Sequence, residues 1–383
     1  MTIESPDNRR SDPLLSIQML RAVAATMVLL YHLATTTAFG WQAPHAWHAG
    51  AGRFIEAIGF AGVDLFFVIS GVVMVYSSYD RLGESREIVP FIKRRVARIY
   101  PLYWVCTAAV LALAWMVPGI ASREKFAATA LLKSFFLWPQ AEYPVVAVGW
   151  TLTFEMYFYL VFAGLIALPR RLLPWALAGW AIVTLGLFPV FDQPEYRSSQ
   201  QGNLRLPLFA SPLALEFIAG CFIGWQAKRG RMPLGFAALA IGLTTLAIVG
   251  SVLRMRYPLE MHYGLARVAI FGTAATLIAY GCIALERVRT LRVPRSLKLC
   301  GDASYSLYLT HMYVLWGVAW LWPQASTSGG DGTTGAAMTA VALLACGVAA
   351  AISYRRIERP LHRLVLRGLG VAPHGGPGRT VVT

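Results

Sequence analysis

Apolar stretches long enough to cross a bilayer recur along the whole chain, near 14–37, 55–79, 99–118, 147–168, 172–190, 209–227, 233–252, 264–286, 299–321 and 334–354. Each approaches the ~20 residues that an α-helix, rising ~1.5 Å per residue, needs to span ~30 Å of hydrocarbon. Lipid offers a backbone no hydrogen-bond partners, so such stretches satisfy themselves as helices, whereas a barrel would show short alternating segments. The pattern predicts an all-α, polytopic membrane bundle of about ten transmembrane helices. Its domain would run over 14–364, after a polar, disordered N-terminus at 1–13 and before a short Gly/Pro-rich tail at 365–383. The first stretch follows Arg9 and Arg10 like a signal peptide, but it runs from Leu14 past residue 30 and contains Arg21, which marks a retained helix. No repeat of 20 to 50 residues is visible, nor a pair of Gly/Pro-broken spans in matching halves, the mark of an inverted-repeat transporter.

Composition agrees: 57% of the 383 residues are hydrophobic and 14% charged, with a mean hydropathy of +0.55. The net charge of +15 raises nucleic acid as a partner until the basic residues are placed. Of 34 Lys and Arg, 24 fall in the N-terminus, the tail and every second connection, and 8 in the intervening ones. That alternation is the positive-inside rule; it puts both termini in the cytoplasm and leaves no charge for nucleic acid to explain. Cys106, Cys221, Cys282, Cys300 and Cys346 lie within or at the ends of apolar spans, so neither a disulfide framework nor a zinc site is indicated. The outward connections carry Trp41, His45, Trp47 and His48 at 38–54 and Asp192, Glu195, Asn203 and Arg205 at 191–208. These suit carbohydrate or headgroup contact, although an interfacial aromatic belt explains the tryptophans equally well.

Ionisable groups inside a bilayer are costly, so each marks function or a buried pair. They are Arg21, His32, Asp64, Glu155, Glu216, Arg267 and His311. Arg21 and His32 stand eleven residues apart in one span; at ~100° and ~1.5 Å per residue they share a face to within about 20°, about 16 Å apart. A cation near the cytosol and an imidazole deeper in suit a long donor whose anionic end stays inside while its reactive end reaches across, which is the shape of a coenzyme A thioester. A neutral imidazole can take the proton of an attacking hydroxyl, and a thioester needs no protein nucleophile. Position alone would equally allow His32 to be a hydrogen-bonded packing residue.

FIKRRVARIYPLYW (91–104) places Lys93, Arg94, Arg95 and Arg98 where a cytoplasmic connection enters the third span. Topogenic charge accounts for some of them, but Arg95 and Arg98 share a helical face and suit the phosphates of a nucleotide-bearing donor. Glu155 in GWTLTFEMYFYL must be neutral or paired, and orienting His32 is one available job. Asp64 in GVDLFFVISG is a second candidate for that job or for an acceptor hydroxyl, and the glycines beside it suit close helix packing. GDASYSLYLTH (301–311) sets Tyr305, Tyr308 and His311 at i, i+3 and i+6, with binding or packing the expected role for Tyr308 and His311.

Together these residues resemble the membrane-bound acyltransferase 3 family. IQMLRAVAATMVLLYH (17–32) is similar to its first-helix signature, and GVDLFFVISG, KRRVARIYPLYW, GWTLTFE, SYSLYLTH and RRIERPL (355–361) resemble its later landmarks in the same order. The opening is most similar to the exopolysaccharide-production branch. The resemblance implies a ten-helix bundle in the inner membrane that uses cytosolic acyl-CoA, usually acetyl-CoA, as co-substrate to acylate a glycan at the outer face, with no permanently bound cofactor and no metal. It makes His32 the catalytic base, Arg21 its companion, Arg95 and Arg98, with Arg94 beside them, the donor-side arginines, and Glu155 the acidic residue of the fourth helix. Some relatives append an extracytoplasmic esterase-like domain that this chain lacks, so either the bundle acylates the glycan directly or a partner in the polysaccharide-synthesis machinery completes the transfer. The competing readings are a proton-coupled glycan or lipid transporter relaying through Arg21, His32 and Glu155, and a non-catalytic assembly partner indifferent to His32.

Overall fold

The computed structural model describes residues 15–36, 49–116, 127–194, 202–230, 232–253, 264–288, 294–322 and 332–371, and every regular element among them is helical. The helices are α1 (Leu15–Thr35), α2 (Ala49–Gly59), α3 (Ala61–Ser78), α4 (Ile88–Met116), α5 (Ala128–Phe135), α6 (Trp150–Ile166) and α7 (Leu173–Phe191). They continue with α8 (Ala214–Arg229), α9 (Gly235–Leu253), α10 (Gly264–Arg287), α11 (Arg295–Asp302), α12 (Ser304–Leu321), α13 (Gly332–Ser353) and α14 (Arg359–Gly368). All ten apolar stretches read from the sequence are helices, and eight helical segments are long and apolar enough to cross a membrane. The stretches outside those eight are α8, which is 16 residues long, and α12, whose buried face carries Ser304, Tyr305, Ser306, Tyr308 and His311.

Two elements depart from the sequence reading. The second span is two helices, broken at Phe60 between α2 and α3, and helix begins at Ala49, inside the connection expected at 38–54; Trp41, His45, Trp47 and His48 lie outside the described residues. The third span starts at Ile88, so Arg94, Arg95 and Arg98 stand on a 29-residue helix rather than in a connection leading into it. Apolar Phe91, Ala97 and Ile99 turn that segment's inner face into the bundle, and Pro90 falls in the first turn, where a missing N–H costs no helical bond.

α3 is the axis of the molecule, buried along nearly its whole length. It crosses α8 backbone to backbone: a Cβ on Gly220 would lie 1.9 Å from the Val68 carbonyl oxygen, and one on Gly71 2.0 Å from that of Phe217. Only glycine permits such an approach. Around the crossing, Phe67, Phe154, Phe158, Phe162 and Phe217 interlock through edge-to-face, tilted and stacked ring contacts.

α1 is pinned at its start by Glu286 of α10, which accepts from the Leu15 and Ser16 amides at 2.7 and 3.0 Å and from the Ser16 hydroxyl at 2.5 Å. A carboxylate there satisfies amides that have no partner in the first turn and opposes the helix dipole. Against α1 lie α2, α3, α11 and α12. At the same end of the bundle, Asp80 gathers Arg170 and Lys228, and Lys93 Nζ donates to the Leu369 carbonyl at 3.0 Å. This basic end therefore joins the start of α1, the start of α4 and the C-terminal helix α14.

Candidate active site

Six of the nine expected site residues, Arg21, His32, Arg95, Arg98, Glu155 and Tyr308, line two abutting cavities, both bordered by α1; Arg94, Asp64 and His311 line neither. The first, about 90 Å³, faces the basic end and is lined by Arg21, Arg95, Arg98, Ser70, Glu155 and Tyr159 among others. The second, about 620 Å³, faces the far end and is lined by His32, Tyr31, Phe60, Trp150, Arg267 and Trp316 among others. They have two lining residues in common, Val63 of α3 and Tyr308 of α12. The groove shared by Arg21 and His32 is thus real but divided.

In the first chamber Arg21 Nε donates to Ser304 Oγ at 3.2 Å. Arg98 pairs with Glu358 and lies over the Tyr305 ring at 5.2 Å; Glu358 also accepts from Ser306 Oγ at 2.5 Å. Glu358 ends a wide π-type turn, Tyr354–Glu358, of the kind that re-aims side chains at functional sites. Arg95 is the buried exception. It lies over Phe91 and Tyr159 at 5.3 and 5.5 Å, makes no ion pair among the described residues, and its Nε has no hydrogen-bond partner. Arg94 turns away: it pairs with Glu87 at 3.5 Å and does not line the chamber, which separates it from the two arginines it was grouped with.

The carboxylates correct the sequence reading. Glu155 accepts from Ser70 Oγ at 3.2 Å and from Tyr159 OH, inside the first chamber, and so does not orient His32. Asp64 is gripped by Arg267 through two 2.9 Å hydrogen bonds and does not hold His32 either. Arg267 precedes the second π-type turn, Val268–Gly272, and Glu216 packs against Gly272 beside the pair. Two carboxylates facing one guanidinium leave no surplus positive charge at this edge of the second chamber.

His32 instead meets a second imidazole. Its Nδ1 lies 3.0 Å from the Val28 carbonyl oxygen and 3.1 Å from His311 Nε2, and His311 Nδ1 lies 3.1 Å from the Leu307 carbonyl oxygen. His311 is 1% exposed and stands behind His32, outside the chamber lining, rather than against a ligand. Tyr308 forms the wall: its hydroxyl is 2.8 Å from Thr151 Oγ1 and donates to the Val148 carbonyl at 3.2 Å, while Phe66 meets its ring edge to face at 5.6 Å. At the rim of the second chamber, burial pushes the Tyr143 hydroxyl above the ordinary tyrosine range, so it stays a donor. Glu358, Tyr159 and Trp150 were not singled out as site residues from sequence, since nothing in their spacing distinguishes them from topogenic and packing residues.

A large chamber with one imidazole and several aromatics, abutting a small one rich in guanidinium, is suited to joining two substrates of different charge. Comparison with known proteins gives the family. The acyltransferase domain of the acyltransferase 3 family matches residues 14–356. The exopolysaccharide production protein ExoZ of Rhizobium meliloti is 35% identical, over 80% of this chain and 90% of its own. The acyltransferase MdmB of Streptomyces mycarofaciens is 27% identical over 94% and 95%, and the O-acetyltransferase OatA of Staphylococcus aureus 25% over 95% of this chain and 60% of its own. No solved structure matches. With the domain match running over nearly every helix described above, this multi-pass membrane protein belongs to the acyltransferase 3 family and is an acyltransferase.

Proposed function

We propose that the protein transfers an acyl group, acetyl in the first instance, from cytosolic acyl-CoA to a hydroxyl of an exopolysaccharide or lipid-linked glycan at the outer face of the inner membrane. The observation that carries this reading is the pair of abutting chambers on α1, one holding Arg21, Arg95 and Arg98 and the other His32. The basic end is the cytoplasmic one by the positive-inside rule. The anionic part of the donor rests at that end, where Arg95 has donor capacity to spare. The thioester reaches past Tyr308, and the glycan hydroxyl lies in the second chamber, where Trp150 and Trp316 offer ring faces for the apolar side of a sugar.

His32 then takes the hydroxyl proton as the oxygen attacks the thioester carbonyl; the C–S bond breaks and the leaving thiolate recovers the proton. Relatives named for exopolysaccharide production and for O-acetyl transfer support the acceptor and the group transferred. The small first chamber and the family both favour an enzyme over a transporter.

The test is acetyl analysis of surface and secreted polysaccharide from wild type, a deletion strain, and the deletion carrying His32→Ala. Loss of acetyl groups in the latter two, with polymer yield unchanged, supports the proposal. Unchanged acetylation with less exported polymer overturns it in favour of transport.

A further inference from the structure

We infer that His311 is a positioning residue for His32: it holds His32 in the tautomer whose Nε2 lone pair faces the second chamber. The inference rests on the proposed role of His32 as base.

Proton positions follow from the acceptors. Carbonyl oxygens only accept, and one sits 3.1 Å from His311 Nδ1, so that nitrogen carries the proton and His311 Nε2 is left as an acceptor. His32 Nδ1 faces that acceptor at 3.1 Å and the Val28 carbonyl at 3.0 Å, so it too carries the proton. The reverse assignment would set two ring lone pairs against two carbonyl oxygens. The remaining nitrogen of His32, Nε2, is therefore the basic one, and it belongs to the ring that lines the chamber. The rings, with centroids 5.0 Å apart, are fixed from two helices, α1 and α12, and Cys346 of α13 closes on the His311 carbonyl at 3.8 Å.

A carboxylate often orients a catalytic histidine, and here the two offered from the sequence are committed elsewhere, Asp64 to Arg267 and Glu155 to Ser70 and Tyr159. A neutral imidazole does the same work without placing a resting charge in the bilayer. When His32 accepts the substrate proton, its Nδ1–H becomes a charged donor and the bond to His311 strengthens, which favours the transition state over the ground state. The chain ends on the Leu307 carbonyl, which cannot pass a proton onward, so the proton stays on His32 until the thiolate takes it.

The experiment uses full-length protein in lipid nanodiscs, [14C]acetyl-CoA as donor, and polysaccharide extracted from a deletion strain as acceptor. We expect His311→Leu to lower kcat about 10- to 100-fold, the worth of a hydrogen bond to a charged group, with the acetyl-CoA KM within about twofold of wild type. His311→Gln, whose amide oxygen reaches the position of Nε2, recovers most of the rate, whereas His311→Asn, whose shorter amide ends near Nδ1, does not. If the leucine variant fails to fold, the Gln and Asn variants decide between them: equal activity overturns the inference, as does a fully active leucine variant. Wild-type transfer by His32→Ala in the same assay removes the underlying reading, whereas an inactive His32→Ala beside a fully active His311→Leu removes only the role of His311.

Discussion

The two chambers set different electrostatic balances with the same kinds of charged residue. The first sets three guanidiniums, Arg21, Arg95 and Arg98, against two carboxylates, Glu155 and Glu358, in about 90 Å³. The second, in about 620 Å³, has one guanidinium, Arg267, with Asp64 and Glu216 beside it and with Glu56 and His32 also on its lining. A buried surplus of positive charge is tolerable only where an anionic ligand will meet it; where no surplus is kept, the ligand is expected to be uncharged and held by shape and aromatic faces. On the proposed function, the difference would place the donor in one chamber and the acceptor in the other.

The most damaging way to break the comparison is to remove the proposed base. His32→Ala should lower kcat about 10²- to 10⁴-fold, the usual worth of general-base catalysis, leaving acetyl-CoA binding by isothermal titration unchanged; weakened binding would mean that His32 belongs to the donor side. Next comes the neutralised edge of the second chamber. Asp64→Ala takes both 2.9 Å hydrogen bonds from Arg267, leaving it beside Glu216 alone, and should destabilise the fold by about 3 kcal/mol, read as a lower melting temperature in nanodiscs. Replacing both partners, Asp64→Leu with Arg267→Met, should restore much of that stability; no recovery would mean the pair is not the reason.

Arg95→Gln sharpens the comparison from the other side. It should raise the acetyl-CoA KM about 10- to 100-fold, as for loss of a charge-assisted hydrogen bond, without moving the acceptor KM, and equal changes in both would erase the division of labour. The smallest effect is expected for Trp316→Ala, since that ring is 50% exposed: a several-fold rise in acceptor KM, of the order of ~1 kcal/mol, and no change for the donor.

The helical bundle was legible because apolar length is a property of consecutive residues, and the ten apolar stretches are helical, the break at Phe60 and the early start of α4 being the departures. The chamber on the basic end was partly legible for the same reason: the register of Arg95 and Arg98 on one helix fixes their common face. Pairings across helices were not. Asp64 meets Arg267 across 203 positions, and His32 meets His311 across 279, and no local spacing encodes such partners. Two of the three carboxylates on the shortlist, Asp64 and Glu155, were offered to His32 because a sequence shows that a buried charge needs a partner without showing which one. The residue that does reach His32 lies in the helix whose hydropathy is depressed by its own polar face, α12, and that depression was the available signal.

The wall between the chambers, Val63 and Tyr308, bears on how such a transfer coexists with a membrane potential. For the proposed donor, the acyl thioester that must pass the wall is uncharged, so the potential exerts no net force on it. Drawing a phosphate across the full field would instead involve about 2.3 kcal/mol per elementary charge for each 100 mV. On the proposed function, holding the anionic part of the donor among Arg21, Arg95 and Arg98 and admitting only the neutral end would make acylation electrically silent, and the cell could then modify its outer glycans without drawing on the voltage that powers its transport.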